Sequence, residues 1–562
     1  MKKLKISFLA LMLVAVSACE LDLLDNPNRV TPDKINPDFL LNNIQIRFAS
    51  LFNEVSRFGM QVTRMRHSFG NTYETAFLPT DFDFTWRTSY ADILIDIKTL
   101  IPLAESRSLY THIGIAKVIQ AYVLMTLVDY FGDVPLSEAL DPNNFNPNVD
   151  NGADVYAEAL VILDEAIAAF NETPLATPVN FFGITSRADW IRVANSLKLK
   201  LLLNRRLVDP TGSTAGINAL VSSGQFISSF GQNFAFRYSR ENANPDSRHP
   251  EFVGNYETGA GTYQQNYYMW HLTEAKKGNG YFPGTKGDAS DGPDPRARYY
   301  FFRQVNSNPT DPNELDCVDV PAPPAHYPPG MPYCLPGNRG YWGRDHLNNQ
   351  GIPPDNFKRT APGVYPAGGR FDANNPVPLN NRQYGNQGAG IEPIMMRSFV
   401  DFMLAEASLL LGTTGDPRAL LESGIRKSMA DVRAYAVAGL EGAAIQAFMN
   451  DATFNTAVNN YVSGVLAEYD DTNNNTERMR IIAREYWLAL FGNGVESYNL
   501  YRRTGQPDGM QPGLNNPFGT FPRTFIYPAS FINRNNNPNV NQKPNNSVRT
   551  FWDTNPVTGW ID

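Results

Sequence analysis

The sequence predicts a mostly α fold, helical toward both ends and irregular between them. Three observations predict it. Apolar residues recur at steps of three and four over 38–206 and again over 393–491, the spacing that gathers them on one helix face. Over 208–392 that period is lost, and fifteen of the 41 prolines fall between 309 and 378. Proline removes a backbone donor and blocks helix continuation, so this stretch reads as a long insertion of loops and short strands. Residues 504–562 are rich in Asn and Pro and are expected to form an irregular tail that wraps the surface.

The elements follow in order. Leu41, Ile44, Phe48, Leu51 and Val55 predict a helix over 38–58, with further helices over 88–103 and 112–131. Within the last of these, Ile115 to Val128 is apolar but interrupted by Lys117 and Gln120, which marks a buried helix and not a membrane span. Tyr156, Leu160, Leu163, Ile167 and Phe170 predict a helix over 153–171. Ser186 to Asp189 has the spacing of a capping box ahead of Trp190, Val193, Leu197 and Leu201, predicting 187–206. In the second block Pro393 suits the first turn of a helix that runs to Leu411 and stops at Gly412. Helices near 416–436, 441–449, 453–467 and 476–491 follow, the last ended by Gly492-Asn493-Gly494. Residues 1–18 are set apart as a signal peptide, leaving 19–562 as one domain.

The charge balance of 48 basic against 56 acidic residues, with no basic stripe evident, argues against nucleic acid as the main partner. Lys2, Lys3 and Lys5 precede an apolar run from Ile6 to Val16, too short to anchor by spanning. The run ends in Val16-Ser17-Ala18-Cys19, which is similar to a lipobox, where the cysteine becomes an acylated N-terminus. Several acyl chains give stable anchoring where one chain gives only marginal binding. The other reading is an ordinary signal that happens to contain Cys19. Cys317 and Cys334 then remain as an even pair in an oxidising compartment, either bridged or as two free thiols; the bridge is the favoured expectation.

No catalytic constellation stands out. The six histidines form no His-Glu-x-x-His pair, and neither a nucleophile elbow nor a phosphate-binding loop is present. The chain is therefore read as not an enzyme, with no cofactor. Glu406, inside an apolar helix, reads as a structural acid paired with an arginine from a neighbouring helix. Two weak calcium candidates exist. Asp471, Asn473 and Asn475 lack the Gly and Glu of a calcium loop and read as a polar turn; Asp288, Asp291 and Asp294 form the other. What remains is aromatic. Tyr73, Trp86 and Tyr90 cluster early, and Tyr267, Trp270, Tyr341 and Trp342 lie among Gly, Gln and Asn in the irregular middle. Such rings either pin long loops or stack on the apolar faces of sugars or on peptides; these seven are the candidate ligand-binding residues.

Several stretches, in order, resemble the SusD/RagB family of nutrient-binding outer-membrane lipoproteins. Asp25-Asn26-Pro27-Asn28 is similar to its opening, and Asp129-Tyr130-Phe131-Gly132-Asp133-Val134-Pro135 to its helix end and tight turn. Trp190 through Arg206, Asp294-Pro295-Arg296, Tyr365-Pro366-Ala367-Gly368-Gly369, Leu404-Ala405-Glu406-Ala407, Arg502-Arg503-Thr504-Gly505 and Tyr527-Pro528 follow. Leu136 after the turn proline and Thr524 after Arg523 depart from the pattern. The resemblance implies a tetratricopeptide-like helical scaffold with irregular loops on one face and a turn at Gly132–Pro135 that packs without touching ligand. It also implies a lipid-anchored protein on the cell exterior. There it would capture oligosaccharides, or in some members peptides, and pass them unaltered to a SusC-type TonB-dependent transporter.

Overall fold

Asn36 opens the first helix: its side chain accepts the Asp38 amide at 2.9 Å and Pro37 supplies a preset first turn. From there the computed structural model describes residues 35–257, 261–276, 294–307, 322–334, 339–349, 358–379 and 383–556. The long helices are α1 (Pro37–Val62), α2 (Ile95–Glu105), α3 (Tyr110–Phe131), α4 (Gly152–Asn171), α5 (Arg187–Arg205) and α6 (Pro210–Ser223) in the first block. The second block holds α7 (Arg397–Leu411), α8 (Pro417–Val437), α9 (Asp451–Asp470), α10 (Asn475–Ala489) and α11 (Gly494–Thr504). Consecutive helices pack as neighbours from α1 to α6, and α7 packs on α8 and α10. The two blocks join where α11 lies on α1 and α7 meets α5. Helix α3 is apolar on all sides and is buried inside the protein, as its composition requires.

The expected caps form. Ser186 Oγ accepts the Asp189 amide at 3.1 Å and donates to the Asp189 carboxylate at 2.7 Å. Gly412 ends α7 in the left-handed region, at φ 66°. Asn474 caps α10 by accepting from Glu477 N at 2.9 Å, so the Asp471–Asn475 segment is a polar turn between two helices.

Three expectations need correction. Pro393 does not open a helix. It lies in β4 (Ile391–Met395), which pairs antiparallel with β1 (Phe234–Arg237), and in a two-stranded ribbon every strand is an edge where a missing donor is tolerated. The helix begins at Arg397, whose amide is taken by Asn233 Oδ1 at 2.8 Å. A second ribbon joins β2 (Phe301–Phe302) to β3 (Ala361–Pro362). Next, Gly492-Asn493-Gly494 starts α11 and is not only a stop, because Asn493 caps that helix by accepting the Glu496 amide at 3.0 Å through Oδ1. Finally, the tail does not merely wrap the surface. Phe525 and Trp552 are buried, Arg523 clamps Asp553, and Trp552 Nε1 donates to Asp129 Oδ1 at 3.1 Å.

The core carries charge where the blocks meet. Asp129 also accepts from Asn499 Nδ2 at 2.6 Å and from the Tyr156 hydroxyl, and lies 3.7 Å from Lys200 Nζ, which pairs with Glu496. Glu406 takes a two-pronged bond from Arg503 (2.7 and 2.8 Å) and a third from Arg206 at 3.1 Å, the inter-helix pairing its apolar setting called for. Cys334 is disulfide-bonded; Cys317 and Cys19 lie outside the described residues, as do Asp288 and Asp291. Asp294 holds Arg296 through both carboxylate oxygens, at 3.0 and 2.7 Å.

Candidate functional site

A cleft of about 300 Å³ opens between the short helix Asp83–Arg87, the turn at Pro135, the loop around 139–147 and the short helix Ala529–Arg534. Its volume is at the lower end of the range for small-molecule sites. Trp86 and Tyr90 form the floor, one turn apart, with ring centroids 4.9 Å from each other. Phe531 adds a third ring, 4.4 Å from Trp86 and inclined by 33°. Phe145 stands over the rim, 81% exposed. Arg87, Arg534 and Asn535 complete the polar edge.

Contacts between distant segments fix this shape. Phe131 and Tyr527 back the Trp86 ring at 5.7 and 6.3 Å, fixing its tilt. The Tyr90 hydroxyl donates to the Pro135 carbonyl at 2.8 Å, and burial raises its pKa well above the ordinary value, so it stays a donor. The run Asn535-Asn536-Asn537 buckles the rim loop: Asn535 Nδ2 donates to Pro147 O at 2.8 Å, and the Asn536 amide donates to Asn146 Oδ1 at 2.7 Å. Ser530 N donates to Asp83 Oδ1 at 2.7 Å, tying the two short helices together.

Of the seven aromatic candidates, only Trp86 and Tyr90 line the cleft. Tyr73, Tyr267, Tyr341 and Trp342 are buried and present no open face, which removes them as stacking platforms. The first three use their hydroxyls inside the protein: Tyr73 with His346 Nε2 at 3.1 Å, Tyr267 to Gly509 O at 2.8 Å, Tyr341 to Asp372 Oδ2 at 2.9 Å. Trp270 is half-buried, stacked on Tyr267 at 6.1 Å, away from the cleft. Sequence reasoning passed over Phe145, Phe531 and Arg534. Phe145 alone left a signal, a single aromatic between Asn144 and Asn146 in a polar loop.

A second chamber of about 40 Å³ is too small for a sugar and is lined by Asn53, Arg66, His249, Glu251 and Glu392 among others. Burial pushes the Glu392 carboxyl up to about 8 and the His249 imidazole down to about 4. Asn53 Nδ2 and the Tyr238 hydroxyl both donate to Glu392 Oε1, at 2.8 and 3.1 Å. Folding thus keeps Glu392 neutral while the unfolded chain ionises it near 4.5, so its stabilisation is full below 4.5 and lost as pH rises through about 8. For His249 the sign is opposite: its contribution is present above 6.5 and lost as pH falls through about 4. Glu392→Gln is expected to flatten the alkaline fall in melting temperature between pH 5 and pH 8; an unchanged slope would rule out this carboxyl as its source. Among the described residues no cluster of His, Cys, Asp and Glu is arranged to hold a metal.

Residues 27–256 match the family model described as "Starch-binding associating with outer membrane", and residues 387–549 match "Susd and RagB outer membrane lipoprotein". The chain belongs to the SusD/RagB family. Solved structures agree on the fold of this SusD/RagB protein. One, named a chitin-binding protein, is 17% identical over 92% of this chain and 100% of its own, with a TM-score of 0.65. A SusD homologue from Bacteroides fragilis is 18% identical, with 92% and 99% covered and a TM-score of 0.63. A chitin-binding SusD homologue from Flavobacterium johnsoniae is 17% identical, with 92% and 98% covered and a TM-score of 0.60. No curated protein matches. The helix pairs on α1–α6 and α7–α10 are the tetratricopeptide-like scaffold of SusD/RagB proteins. The turn packs through Asp133 Oδ1, which accepts the Gly152 amide that starts α4 at 2.8 Å, and Pro135 lines the cleft.

Proposed function

We propose that this protein is a non-catalytic, cell-surface lipoprotein, acylated at Cys19, that captures oligosaccharides and passes them to a SusC-type TonB-dependent transporter. The observation that carries the ligand class is the cleft: three tilted rings form its floor, an exposed fourth overhangs it, and Arg and Asn side chains edge it. Apolar C–H faces of a sugar stack on such rings while its hydroxyls bond the edge. Two solved relatives of the same fold are named for chitin binding, which supports a saccharide over a peptide.

Calorimetry on the purified protein in mild detergent tests this, with saccharide oligomers and a peptide mixture titrated in parallel. Phe145→Ala touches no core packing and is expected to weaken saccharide binding by roughly 3–10-fold, the loss of one ring worth about 0.5–1.5 kcal/mol. Binding of peptides and no saccharide would replace the ligand class, and an unaltered affinity in Phe145→Ala would move the site elsewhere. Co-purification from membranes with a barrel transporter tests the partner, and its repeated absence in mild detergent would count against the handover.

A further inference from the structure

We infer that the cleft selects an acidic saccharide, a sugar bearing carboxylate or sulfate groups; this rests on the reading of the cleft as a saccharide site. Two guanidinium groups and no carboxylate line it, in a chain whose acids outnumber its bases by 56 to 48. Arg87 ends the short helix Asp83–Arg87, and Arg534 ends the helix Ala529–Arg534. They therefore reach one opening from elements more than 400 residues apart.

Their side chains hold no fixed acceptor. Several buried arginines do: Arg503 on Glu406, Arg523 on Asp553, Arg303 on Asp372, Arg296 on Asp294. The Arg87 side chain makes only a ring contact, 5.7 Å from Phe84, and neither it nor the Arg534 side chain has a hydrogen bond or ion pair among the described residues. Acids on the flanking segments, Asp83, Glu138 and Asp141 among them, do not line the cleft. Asp83 accepts the Ser530 amide, and Glu138 accepts from Asn144 and Asn148 at 3.0 and 2.9 Å. Arg87 and Arg534 are thus the only charged side chains on the lining of the cleft. A guanidinium offers a planar fork that fits carboxylate and sulfate through paired N–H···O bonds. Beside a stacking floor, that geometry favours an anionic sugar over a neutral one of equal size.

The test titrates the full protein by calorimetry with three probes of equal length: a galacturonic acid oligomer, a sulfated oligomer and a neutral N-acetylglucosamine oligomer. At low salt at least one acidic probe is expected to bind about tenfold more tightly than the neutral one, and the gap is expected to shrink as salt screens the rim charges. Whichever acidic probe binds more tightly identifies the anionic group. Arg87→Gln combined with Arg534→Gln should bring the acidic probe down to the neutral level; both residues are exposed, and an unshifted melting temperature will show that the fold is kept. Equal affinity for neutral and acidic probes, or a gap that survives the double substitution, overturns the inference and leaves the saccharide site standing. If no probe binds, both fall together.

Discussion

Replacing Arg503 with methionine is expected to destabilise the protein by about 3–5 kcal/mol at neutral pH, because it strands a buried carboxylate. Glu406 is fully enclosed and accepts both prongs of the Arg503 guanidinium, keeping only the single bond from Arg206 once Arg503 is gone. Burial pushes the Glu406 pKa up, but Arg503 first and Arg206 second outweigh it and hold the group below its ordinary 4.5. A depressed folded value contributes stability that is present above the unfolded value and is lost as pH falls through the folded one. The deficit of the variant should therefore be largest near pH 7 and shrink below about pH 4.5. Denaturant melts at pH 7 and pH 4 read this directly. Adding Glu406→Gln to Arg503→Met should recover a large part of the loss, since a neutral amide costs less to bury unpaired than a carboxylate. A deficit under about 1 kcal/mol at pH 7 would show that the pair contributes no more than a surface ion pair does.

Gly494→Ala is the second large effect. A Cβ at this position would lie 1.9 Å from Ser56 O and 2.3 Å from Met60 N, both backbone atoms of α1. No side chain can swing aside, so α1 and α11 would have to part along the seam that joins the two helical blocks. A loss of about 3 kcal/mol or more is expected, at the upper end for overpacking. Gly216→Ala is the control. Its Cβ meets only the Leu202 side chain, 2.9 Å from Cδ1 and 3.2 Å from Cδ2, and that flexible tip can turn away; alanine in a helix interior otherwise gains about 0.5–1 kcal/mol over glycine. Equal melting temperatures for Gly494→Ala and the unaltered chain would mean that the crossing of α1 and α11 is looser than its backbone contacts indicate.

Helices with one wet and one dry face were legible because their period survives in the sequence, as with Leu41 to Val55 in α1 or Tyr156 to Phe170 in α4. Helix α11 was not. Every residue from Gly494 to Thr504 is buried, and Glu496, Arg502 and Arg503 are among them. A helix whose polar groups are satisfied inside the protein leaves no apolar stripe to count. Pro393 misled for a related reason. Its strand partner Ala235 and the cap on Arg397 from Asn233 come from more than 150 residues upstream, and no local spacing reports them. The aromatic candidates divided along the same line. Trp86 and Tyr267 both sit among polar neighbours in sequence, yet the distant Gly509 carbonyl draws Tyr267 inward, whereas Trp86 meets Phe531 at the edge of an opening. The loop that carries Phe145 was legible as a loop; that it forms one jaw of a cleft depended on Asn535 to Asn537, nearly four hundred residues downstream.

That late closure bears on how the molecule is made. The proposed tether and the scaffold helices are translated before Phe531, Arg534 and the asparagines that brace the rim. A nascent or prematurely terminated polypeptide would arrive at its destination with its anchor and most of its scaffold helices but with nothing to hold cargo. Because Trp552 is seated against Asp129, such a product would also lack a piece of its interior. Incomplete synthesis should therefore show itself as instability and proteolytic clearance, and not as a persistent receptor without a grip.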